Sequence, residues 1–439
     1  MTAAAEVSPA RTAALDVLEA VRRGRFADQA FGEIATDLQD VDRRLVQELA
    51  YGTLRLRGRL DHLIDRIVDG GIDRLRPEVL DILRLGAYQL LELDRVPAYA
   101  AVSEAVEAAR RRGHGAAAGL VNAVLRRLRR EDDIEALFPS RREDPAGYFA
   151  SWGSHPRWLV ERWLGRWPED EVARLIQKDN QRSPVCLSMA GSVDEALADL
   201  RSAGVAAEAV GLATGCIRID PARVADALGL VDAIVQDPAA AGVVKYAAFA
   251  PGTLVADLCA APGGKAASLA LRGHGVLAFD VSARRLALAR QTKERLGLTD
   301  LHCGVADATR PPLRRAASVL LDVPCTGTGT LGRHADARWR LTPTKLTELV
   351  ELQERMLDAA AGIVEPGGLL VYATCSLEPE ENEIQISSFL GRHPEFSLER
   401  TPPGAVPDEL LADSGELRVT PQDHGWDGAY AARLRRRAG

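Results

Sequence analysis

The sequence predicts a protein of more than one domain, in which an all-helical part precedes an α/β part built on a mostly parallel sheet. Three observations support this fold class. The chain has 439 residues, more than a typical single domain. Apolar residues recur at helical spacing up to about residue 140. Beyond residue 250, short apolar runs alternate with helical segments and end repeatedly in Asp or Cys, which is typical of a doubly wound sheet.

The N-terminal part, residues 1–140, is predicted to be a helical domain. Its helix candidates are 11–21, 42–68, 78–93 after a first-turn Pro77, 103–112 before Gly113, and 116–130. Residues 131–147 are acidic and contain two prolines, so they are interpreted as a linker. The spacing of Trp158, Trp163 and Trp167 favours core packing over base stacking, and His155 is expected to pack or to cap a helix.

Residues 141–235 are predicted to form the linker and a small α/β bridging subdomain, and residues 236–439 the main α/β domain. The central stretch of the main domain begins with an apolar strand that ends at Asp257. It continues as Leu-Cys-Ala-Ala-Pro-Gly-Gly-Lys265 and leads into an Ala-rich helix. Small residues between a strand and a helix let a ligand approach the backbone and the unpaired N–H groups of the helix. The glycine spacing matches neither the dinucleotide nor the P-loop pattern, and such a turn by itself is often only a turn.

Four further strand candidates each lead to a residue that can bind or react. They are 275–280 leading to Asp280, 301–305 to Asp307, 317–322 to Asp322, and 368–374 to Cys375. Parallel strands present their carboxyl ends at one edge of a sheet, where ligands of open α/β folds bind. We therefore expect these side chains to share one edge with the turn after Asp257.

Composition excludes several classes of protein and leaves others open. Six scattered cysteines without a Cys-x-x-Cys pair argue against zinc and against a disulfide framework, and they suit a reducing cytoplasm. No apolar run is long enough for a membrane helix, and no secretory signal is expected. The net charge of −7 disfavours nucleic-acid binding only on average, because basic residues cluster at 110–112, 126–130 and 433–437. These clusters fit either phosphate contacts or solvated faces.

Three motifs together resemble the RNA cytosine-C5 methyltransferases of the Nop2/Sun family. They are the stretch from Asp257 to Lys265, Asp322-Val-Pro-Cys325, and Thr374-Cys375-Ser376. The helical part, which closes with Asn122-Ala-Val-Leu-Arg-Arg, resembles the NusB-like RNA-binding domain of bacterial members. The resemblance implies a Rossmann-like domain with a seven-stranded sheet. It also implies S-adenosyl-L-methionine as cofactor and RNA, expected to be small-subunit (16S) rRNA, as substrate.

The resemblance also implies a role for each site residue. Cys375 would attack C6 of the base, Cys325 would help to remove the C5 proton and release the product, and Asp322 would hydrogen-bond the base and border the cofactor. The cofactor-binding residues would be Cys259, Ala260, Ala261, Pro262, Gly263, Gly264 and Lys265 for the methionine part, Asp280 and Arg285 for the ribose, and Asp307 for the adenine edge.

The chemistry explains why two cysteines are needed. C5 of a pyrimidine is a poor nucleophile, and addition of a thiolate at C6 turns it into an enamine-type carbon that can attack a methyl group. A catalytic thiol needs a lowered pKa, and Lys265 is one candidate to supply it. No residues in the sequence suggest a metal.

Simpler structural interpretations stay open for several residues. Cys186, Cys216 and Cys303 are expected to be buried packing residues, and Cys259 to be chosen for its size. Asp280 and Asp307 could be helix caps, and the acids between Glu378 and Glu383 are explained by capping. Arg338-Trp339 could pack under a flipped base or be structural.

Alternative functions also stay open. One is an RNA-binding assembly or antitermination factor with a vestigial catalytic domain; the others are a tRNA cytosine-C5 methyltransferase and an enzyme that methylates an exocyclic nitrogen. Two departures from the family pattern concern RNA contacts and packing: Pro184-Val-Cys replaces an Arg-Val-Asn, and Ala429 replaces an aromatic residue.

Overall fold

The structure is a computed structural model that describes residues 7–211 and 215–438. These residues pack into two units. The first comprises the chain up to Gln181 together with His334–Leu341, and the second comprises Arg182–Arg333 together with the chain from Thr342. Among the residues described, no helix combines the length and the apolar character needed to cross a membrane.

The first unit is helical throughout its described residues, as predicted for residues up to 140. Its helices are α1 Pro9–Arg22, α2 Ala27–Ile34, α3 Asp40–Arg55, α4 Arg57–Ile67, α5 Pro77–Glu92, α6 Ala98–Arg111, α7 Ala118–Leu128, α8 Pro145–Ser151, α9 Arg157–Leu164 and α10 Glu169–Asp179. Helices α8 to α10 lie in the stretch that was predicted as linker and small α/β subdomain. Helix α5 is its centre, because most of its side chains from Val79 to Gln89 are buried. The sequence analysis did not predict the short helix α2.

The long helical pattern over 42–68, which Gly52 and Gly58 weaken in its middle, forms two helices because the chain breaks at Leu56 between α3 and α4. The hydroxyl of Ser154 accepts a hydrogen bond from Gly58 N at 2.9 Å and donates one to Arg55 O at 2.8 Å. A residue almost one hundred positions away therefore satisfies the backbone groups that the break exposes. A local sequence pattern cannot predict a contact between residues so far apart in the chain.

The segment His334–Leu341 forms part of the interior of this unit. Arg338 is fully buried and donates hydrogen bonds to the carbonyls of Ser154 and Asp179 at 3.0 Å each, and to Asn180 Oδ1 at 2.8 Å. Trp339 Nε1 donates to a backbone carbonyl of α3 at 2.7 Å. These contacts favour the structural interpretation of Arg338-Trp339 over packing against a base.

His155 is buried as a packing residue. Its ring nitrogens lie 2.7 Å from Gly153 O and 3.2 Å from Asp179 Oδ2. Burial, together with the charge of Arg338, lowers its pKa. Trp163 is fully buried as well, which agrees with core packing.

The second unit begins with a small antiparallel sheet. Its strands are β1 Val185–Met189, β2 Ala207–Ala209, β3 Cys216–Ile219 and β4 Ala233–Val235, in the order β2-β3-β1-β4, with helices α11 Val193–Ser202 and α12 Val224–Leu230. This is the α/β segment expected before residue 235, whereas α8 to α10 belong to the first unit. The three-part division of the chain at residues 140 and 235 stays a proposal.

The main sheet lies in the same unit. Its strands are β5 Leu254–Asp257, β6 Gly275–Asp280, β7 Leu301–Val305, β8 Ala316–Asp322, β9 Val364–Thr374, β10 Phe396–Leu398, β11 Leu417–Val419 and β12 Ala429–Arg436. The helices around it are α13 Pro238–Ala247, α14 Gly264–Leu271, α15 Ala283–Arg295, α16 Pro343–Ile363, α17 Glu383–Arg392 and α18 Pro421–His424. The order is β10-β12-β9-β8-β5-β6-β7, with β11 also paired to β12.

The sheet is mostly parallel, as predicted, but it has eight strands rather than seven. Strands β5 to β9 pair in parallel, and β12 pairs antiparallel with β9. The extra strand arises because β12 is long: β10 pairs with its last residues and β11 with its first. The strand order reverses between β5 and β8, which is the switch point where ligands bind in open α/β sheets.

Candidate active site

The turn after β5 is built for close approach to the backbone. Gly263 has φ +109°, and a Cβ at this position would lie 2.4 Å from the Cβ of Ala289 in α15. Only glycine fits this position, because a side chain would meet both the strained backbone region and a packed neighbour. Among the described residues, no side chain caps the start of α14. The first N–H groups of that helix can therefore bind a carboxylate or another acceptor of a ligand.

Asp280 and Arg285 hold this turn from the neighbouring strand and helix. Asp280 Oδ2 accepts a hydrogen bond from Ala261 N at 3.1 Å, and its Oδ1 accepts one from Ser282 N at 2.9 Å. The Arg285 guanidinium donates to Ala261 O at 2.6 Å. Asp280 does not cap α15, because the side chain of Ser282 does. Each carboxylate oxygen can accept a second hydrogen bond, so Asp280 can still bind ribose hydroxyls.

Asp307 follows β7 and is exposed. Its Oδ1 accepts hydrogen bonds from the backbone N and the hydroxyl of Thr309, both at 2.8 Å, and these bonds lower its pKa. Two apolar residues, Val281 and Val305, are 73% and 56% exposed at the ends of β6 and β7. Exposed valines beside two carboxylates can pack against a flat aromatic ring such as adenine. The sequence analysis missed them, although an apolar residue directly after Asp280 was a usable signal.

Lys265 and Asp322 form an ion pair across the switch point, with Nζ 2.7 Å from Oδ2. Burial opposes the charge of Lys265, but the attraction and hydrogen bond of Asp322 raise its pKa above the ordinary value. Cys375 adds to this in the same direction. The ammonium is therefore held charged, and the interaction with Cys375 is mutual.

The two predicted thiols meet at this edge of the sheet. Cys325 follows β8 and Cys375 follows β9, and their sulfur atoms are 3.4 Å apart. Strands β8 and β9 are parallel neighbours in which Asp322 pairs with Ala373. Both thiols are partly buried. The pKa of Cys325 is raised well above its ordinary value. The hydrogen bond to Cys375 is the largest cause and burial is the second.

Gly329 connects the loop after β8, which carries Cys325, to the loop after β9, which carries Cys375. Its N donates to Cys375 O at 3.0 Å, and its carbonyl accepts a hydrogen bond from Gly428 N at 2.6 Å. A Cβ on Gly329 would lie 2.6 Å from the Cα of Gly428 and 2.8 Å from the carbonyl oxygen of Cys375. Glycine is therefore required at this crossing, which the sequence analysis did not identify.

Two of the acids after Thr374-Cys375-Ser376 are buried, whereas the sequence analysis explained these acids by helix capping. Glu378 and Glu381 are both fully buried, so complementing a helix dipole does not explain them. Glu381 reaches the Cys325 loop, where its carboxylate accepts a hydrogen bond from Thr326 N at 2.9 Å. No sequence signal separated this glutamate from its neighbours, because its partner lies 55 residues away.

Asp257 is fully buried beneath the turn, and neither of its carboxylate oxygens has a side-chain hydrogen-bond partner among the described residues. Burial, and then the negative charge of Asp322, raises its pKa to about 8, whereas Lys265 opposes the shift. The sequence analysis placed Asp257 at the shared edge without a role. Its carboxyl group is mostly protonated at neutral pH.

The other cysteines occupy the positions expected of packing residues. Cys186 and Cys216 are buried, and Cys259 and Cys303 are partly buried. Within residues 7–211 and 215–438, no cluster of three or more His, Cys, Asp or Glu side chains could hold a metal ion.

We expect Gly329→Ala to destabilise the protein by about 1–3 kcal/mol, because the added methyl group must displace backbone on both sides. The methyl transfer expected from the sequence should fall further, by about a hundredfold, because the two thiols move apart. Chemical denaturation and methylation assays measure the two effects. Gly391→Ala in α17 is the matched control, since its Cβ would meet nothing within 4 Å. Equal behaviour of the two variants would contradict the connecting role of Gly329.

Asp257 should make stability depend on pH. Its folded-state pKa of about 8 lies above the ordinary value of 3.8, so the free energy of unfolding should fall as the pH rises from about 4 to 8. Asp257→Asn should remove this slope and gain several kcal/mol over the wild type at pH 8. Denaturation at several pH values measures the difference. The exposed Asp300→Asn should follow the wild type, and a slope retained in Asp257→Asn would contradict the assignment.

Comparison with known proteins adds three matches along the chain. Residues 8–130 match the NusB family, residues 155–225 match the ferredoxin-like domain of RsmF/B-like methyltransferases, and residues 247–435 match the description 16S rRNA methyltransferase RsmB/F. The ribosomal RNA small subunit methyltransferase B of Thermus thermophilus is 38% identical over 90% of this chain and 89% of its own length. The protein of that name from Erwinia tasmaniensis is 33% identical over 96% of this chain and 97% of its own.

Solved structures agree on the fold. The crystal structure of PH0851 has a TM-score of 0.80 and 27% identity, and the match covers 98% of this chain and all of that one. NSun6 from Pyrococcus horikoshii with SFG, at 17% identity and a TM-score of 0.53 over 64% of this chain and 98% of that one, shows a likeness of fold alone. The chain therefore belongs to the RsmB/F methyltransferase family and is an S-adenosylmethionine-dependent RNA methyltransferase.

Proposed function

We propose that this protein methylates C5 of a cytosine in small-subunit (16S) rRNA through a covalent bond between Cys375 and C6 of the base. The observation that carries the proposal is the pair of thiols, 3.4 Å apart, beside the Lys265–Asp322 ion pair. Methylation of an exocyclic nitrogen needs no thiol, whereas C5 chemistry needs one to form the bond and is helped by a second. The names of the relatives favour 16S rRNA over tRNA.

The residues around the turn fit S-adenosylmethionine, which supplies an electrophilic methyl group when bound. The backbone from Cys259 to Lys265 would hold its methionine part, because no described side chain caps the N-terminus of α14 and the two glycines before Lys265 carry no side chain. Asp280 would bind the ribose hydroxyls, with Arg285 fixing the turn. Asp307 would bind the adenine edge, with Val281 and Val305 packing against the ring.

In the proposed reaction the thiolate of Cys375 adds to C6, and the electron pair gained at C5 then takes the methyl group. Lys265 favours the thiolate, since a nearby ammonium stabilises a negative charge. As the thiolate adds, N3 of the base takes up a proton from water, and the carboxylate of Asp322 accepts a hydrogen bond from that N3–H group, which stabilises the adduct. With the help of Cys325 the C5 proton then passes to solvent, the electron pair of the C5–H bond forms the C5–C6 double bond, and Cys375 leaves C6 as a thiolate. The proton on N3 is lost to water, which gives 5-methylcytosine.

The target base has to leave its stack to reach these thiols, as in other enzymes that act on bases. Unpaired rRNA segments offer such bases at the lowest cost. The two thiols in contact and the adjacent ion pair also favour an active enzyme over an assembly factor with a vestigial catalytic domain, which would not need them. We expect the enzyme to act in the cytoplasm, where its rRNA substrate is made.

A basic groove between α6 and α7 offers a surface for the RNA. It encloses about 870 Å³, and four arginines line it: Arg110, Arg126, Arg129 and Arg130. Glu107 also lines it and pairs with Arg110. Tyr99, which is 74% exposed, stands at the same groove together with Asn122. An aromatic ring among arginines suits single-stranded RNA, because bases can stack on the ring while phosphates meet the guanidinium groups.

Replacement of each thiol should have a different outcome. With RNA and cofactor, Cys325→Ala should accumulate a covalent protein–RNA adduct on a denaturing gel, because release is slowed. Cys375→Ala should form no adduct and lose more than about a thousandfold in rate, as expected for a nucleophile. Cys303→Ala, which lies far along the sheet in β7, is the control and should behave as the wild type. Full activity of both Cys325→Ala and Cys375→Ala would rule out the thiol mechanism.

Charge reversal in the groove should weaken RNA binding and spare the chemistry. The double variant Arg126→Glu with Arg129→Glu should raise KM for RNA about tenfold or more, leave kcat near the wild-type value, and reduce the salt dependence of binding. The matched control reverses two exposed arginines elsewhere, Arg44→Glu with Arg76→Glu. A similar loss in both double variants would mean that only the overall charge matters.

A further inference from the structure

Glu381 connects the loop that carries Cys325 to the loop that carries Cys375. It lies in a single turn, Pro379–Glu381, six residues after Cys375, and is fully buried. Its Oε1 accepts a hydrogen bond from Thr326 N at 2.9 Å, and its Oε2 accepts one from the Thr326 hydroxyl. Thr326 directly follows Cys325, so the carboxylate fixes the backbone next to that thiol.

Further hydrogen bonds extend this connection in both directions. The hydroxyl oxygens of Thr326 and Ser376 are 3.0 Å apart, and Ser376 directly follows Cys375. Gln353 Nε2 donates to Glu381 Oε1 at 2.8 Å and to Pro324 O at 3.0 Å. The residues on either side of Cys325 are thus held by one buried group of polar side chains.

The charges near the two thiols are opposite in sign. The side-chain partners of Glu381 are neutral, and among the described residues no basic side chain forms a salt bridge with it. When the carboxyl group of Glu381 is ionised, its negative charge is therefore close to Cys325 and is not neutralised by a cation. The positive charge of Lys265, from α14, instead acts on Cys375 while it pairs with Asp322 of β8. Tyr372 of β9 adds no charge, because burial keeps its pKa well above the ordinary value.

We infer that Glu381 is a positioning residue that keeps Cys325 protonated in the free enzyme, so that Cys375 is the thiol that ionises. The inference rests on the proposed function for the role of each thiol. Two thiols in hydrogen-bond contact share one ionisation, since a second negative charge 3.4 Å away is strongly disfavoured. A carboxylate on one side and an ammonium on the other decide which sulfur carries it.

The titration of these groups agrees in direction. The hydrogen bond to Cys375 raises the pKa of Cys325, burial adds to this, and the charge of Glu381 adds further. Burial also raises the pKa of Glu381 itself, whereas hydrogen bonds from Ser376, Thr326 and Gln353 act to keep it ionised. In the free enzyme, Cys325 is then the donor and Cys375 the acceptor of the hydrogen bond between the thiols.

Alkylation of the RNA-free protein as a function of pH tests this assignment. Brief treatment with iodoacetamide, followed by mass spectrometry of the peptides that contain Cys325 and Cys375, reports the midpoint of ionisation for each thiol. In the wild type, Cys375 should react at lower pH than Cys325. Glu381→Gln should lower the midpoint of Cys325 by about one pH unit and leave that of Cys375 unchanged or raised.

Two further variants distinguish the effect of the charge of Glu381 from the effect of its hydrogen bonds. Glu416→Gln removes another buried glutamate, which contacts Tyr430, and should leave both midpoints in place. Thr326→Ala keeps the carboxylate but removes its hydroxyl partner, so the midpoint of Cys325 should not fall, while kcat should drop about tenfold through lost positioning.

Each outcome decides the question. A wild type in which Cys325 reacts first, or a folded Glu381→Gln with an unmoved Cys325 midpoint, would overturn the inference. If Glu381→Gln does not fold, Lys265→Met tests the effect of the ammonium on Cys375. This variant should raise the ionisation midpoint of Cys375 and should not lower that of Cys325. An unchanged midpoint of Cys375 would also overturn the inference. Alkylation needs neither RNA nor cofactor, so failure here leaves the proposed methylation standing, and failure of RNA trapping leaves the ionisation result standing.

Discussion

The parallel pairing of β8 with β9 is the constraint on which the candidate site depends. It aligns Asp322 with Ala373, so that the chain beyond each strand delivers a cysteine to one point. The 3.4 Å between the two sulfur atoms follows from that register and from Gly329, which lets the two loops cross without a side chain between them. A slip of one residue would send one thiol to the other face of the sheet.

The switch point between β5 and β8 places charge beside these thiols. Asp257, Lys265 and Asp322 meet there, and among the described residues only Asp322 of the two acids forms a salt bridge with the ammonium. Burial and the charge of Asp322 raise the pKa of Asp257 to about 8, so it is mostly protonated at neutral pH, and the Lys265–Asp322 pair carries the charge there. Burial and pairing thus give chemically similar side chains different states, as active sites commonly require.

Each unit uses polar groups in its interior for a different purpose. In the first unit, the buried Arg338 satisfies backbone carbonyls and an amide, and this organises packing. In the second, the buried Glu381 accepts hydrogen bonds from the residue next to Cys325, and we propose that it acts on the ionisation of that thiol. The net charge of the chain predicted neither, because buried charges and local grooves do not show in an average.

The sequence by itself determined the fold class, the mostly parallel sheet, the glycine-containing turn after β5, and the cysteines and acids at strand ends. Those features follow from local periodicity and from motifs within single loops. Only the tertiary structure decided the break at Leu56, the eighth strand, the burial of Glu381 and the glycine crossing at Gly329. Each of these depends on partners tens of residues away or more, and contacts at that distance leave no local pattern in the chain.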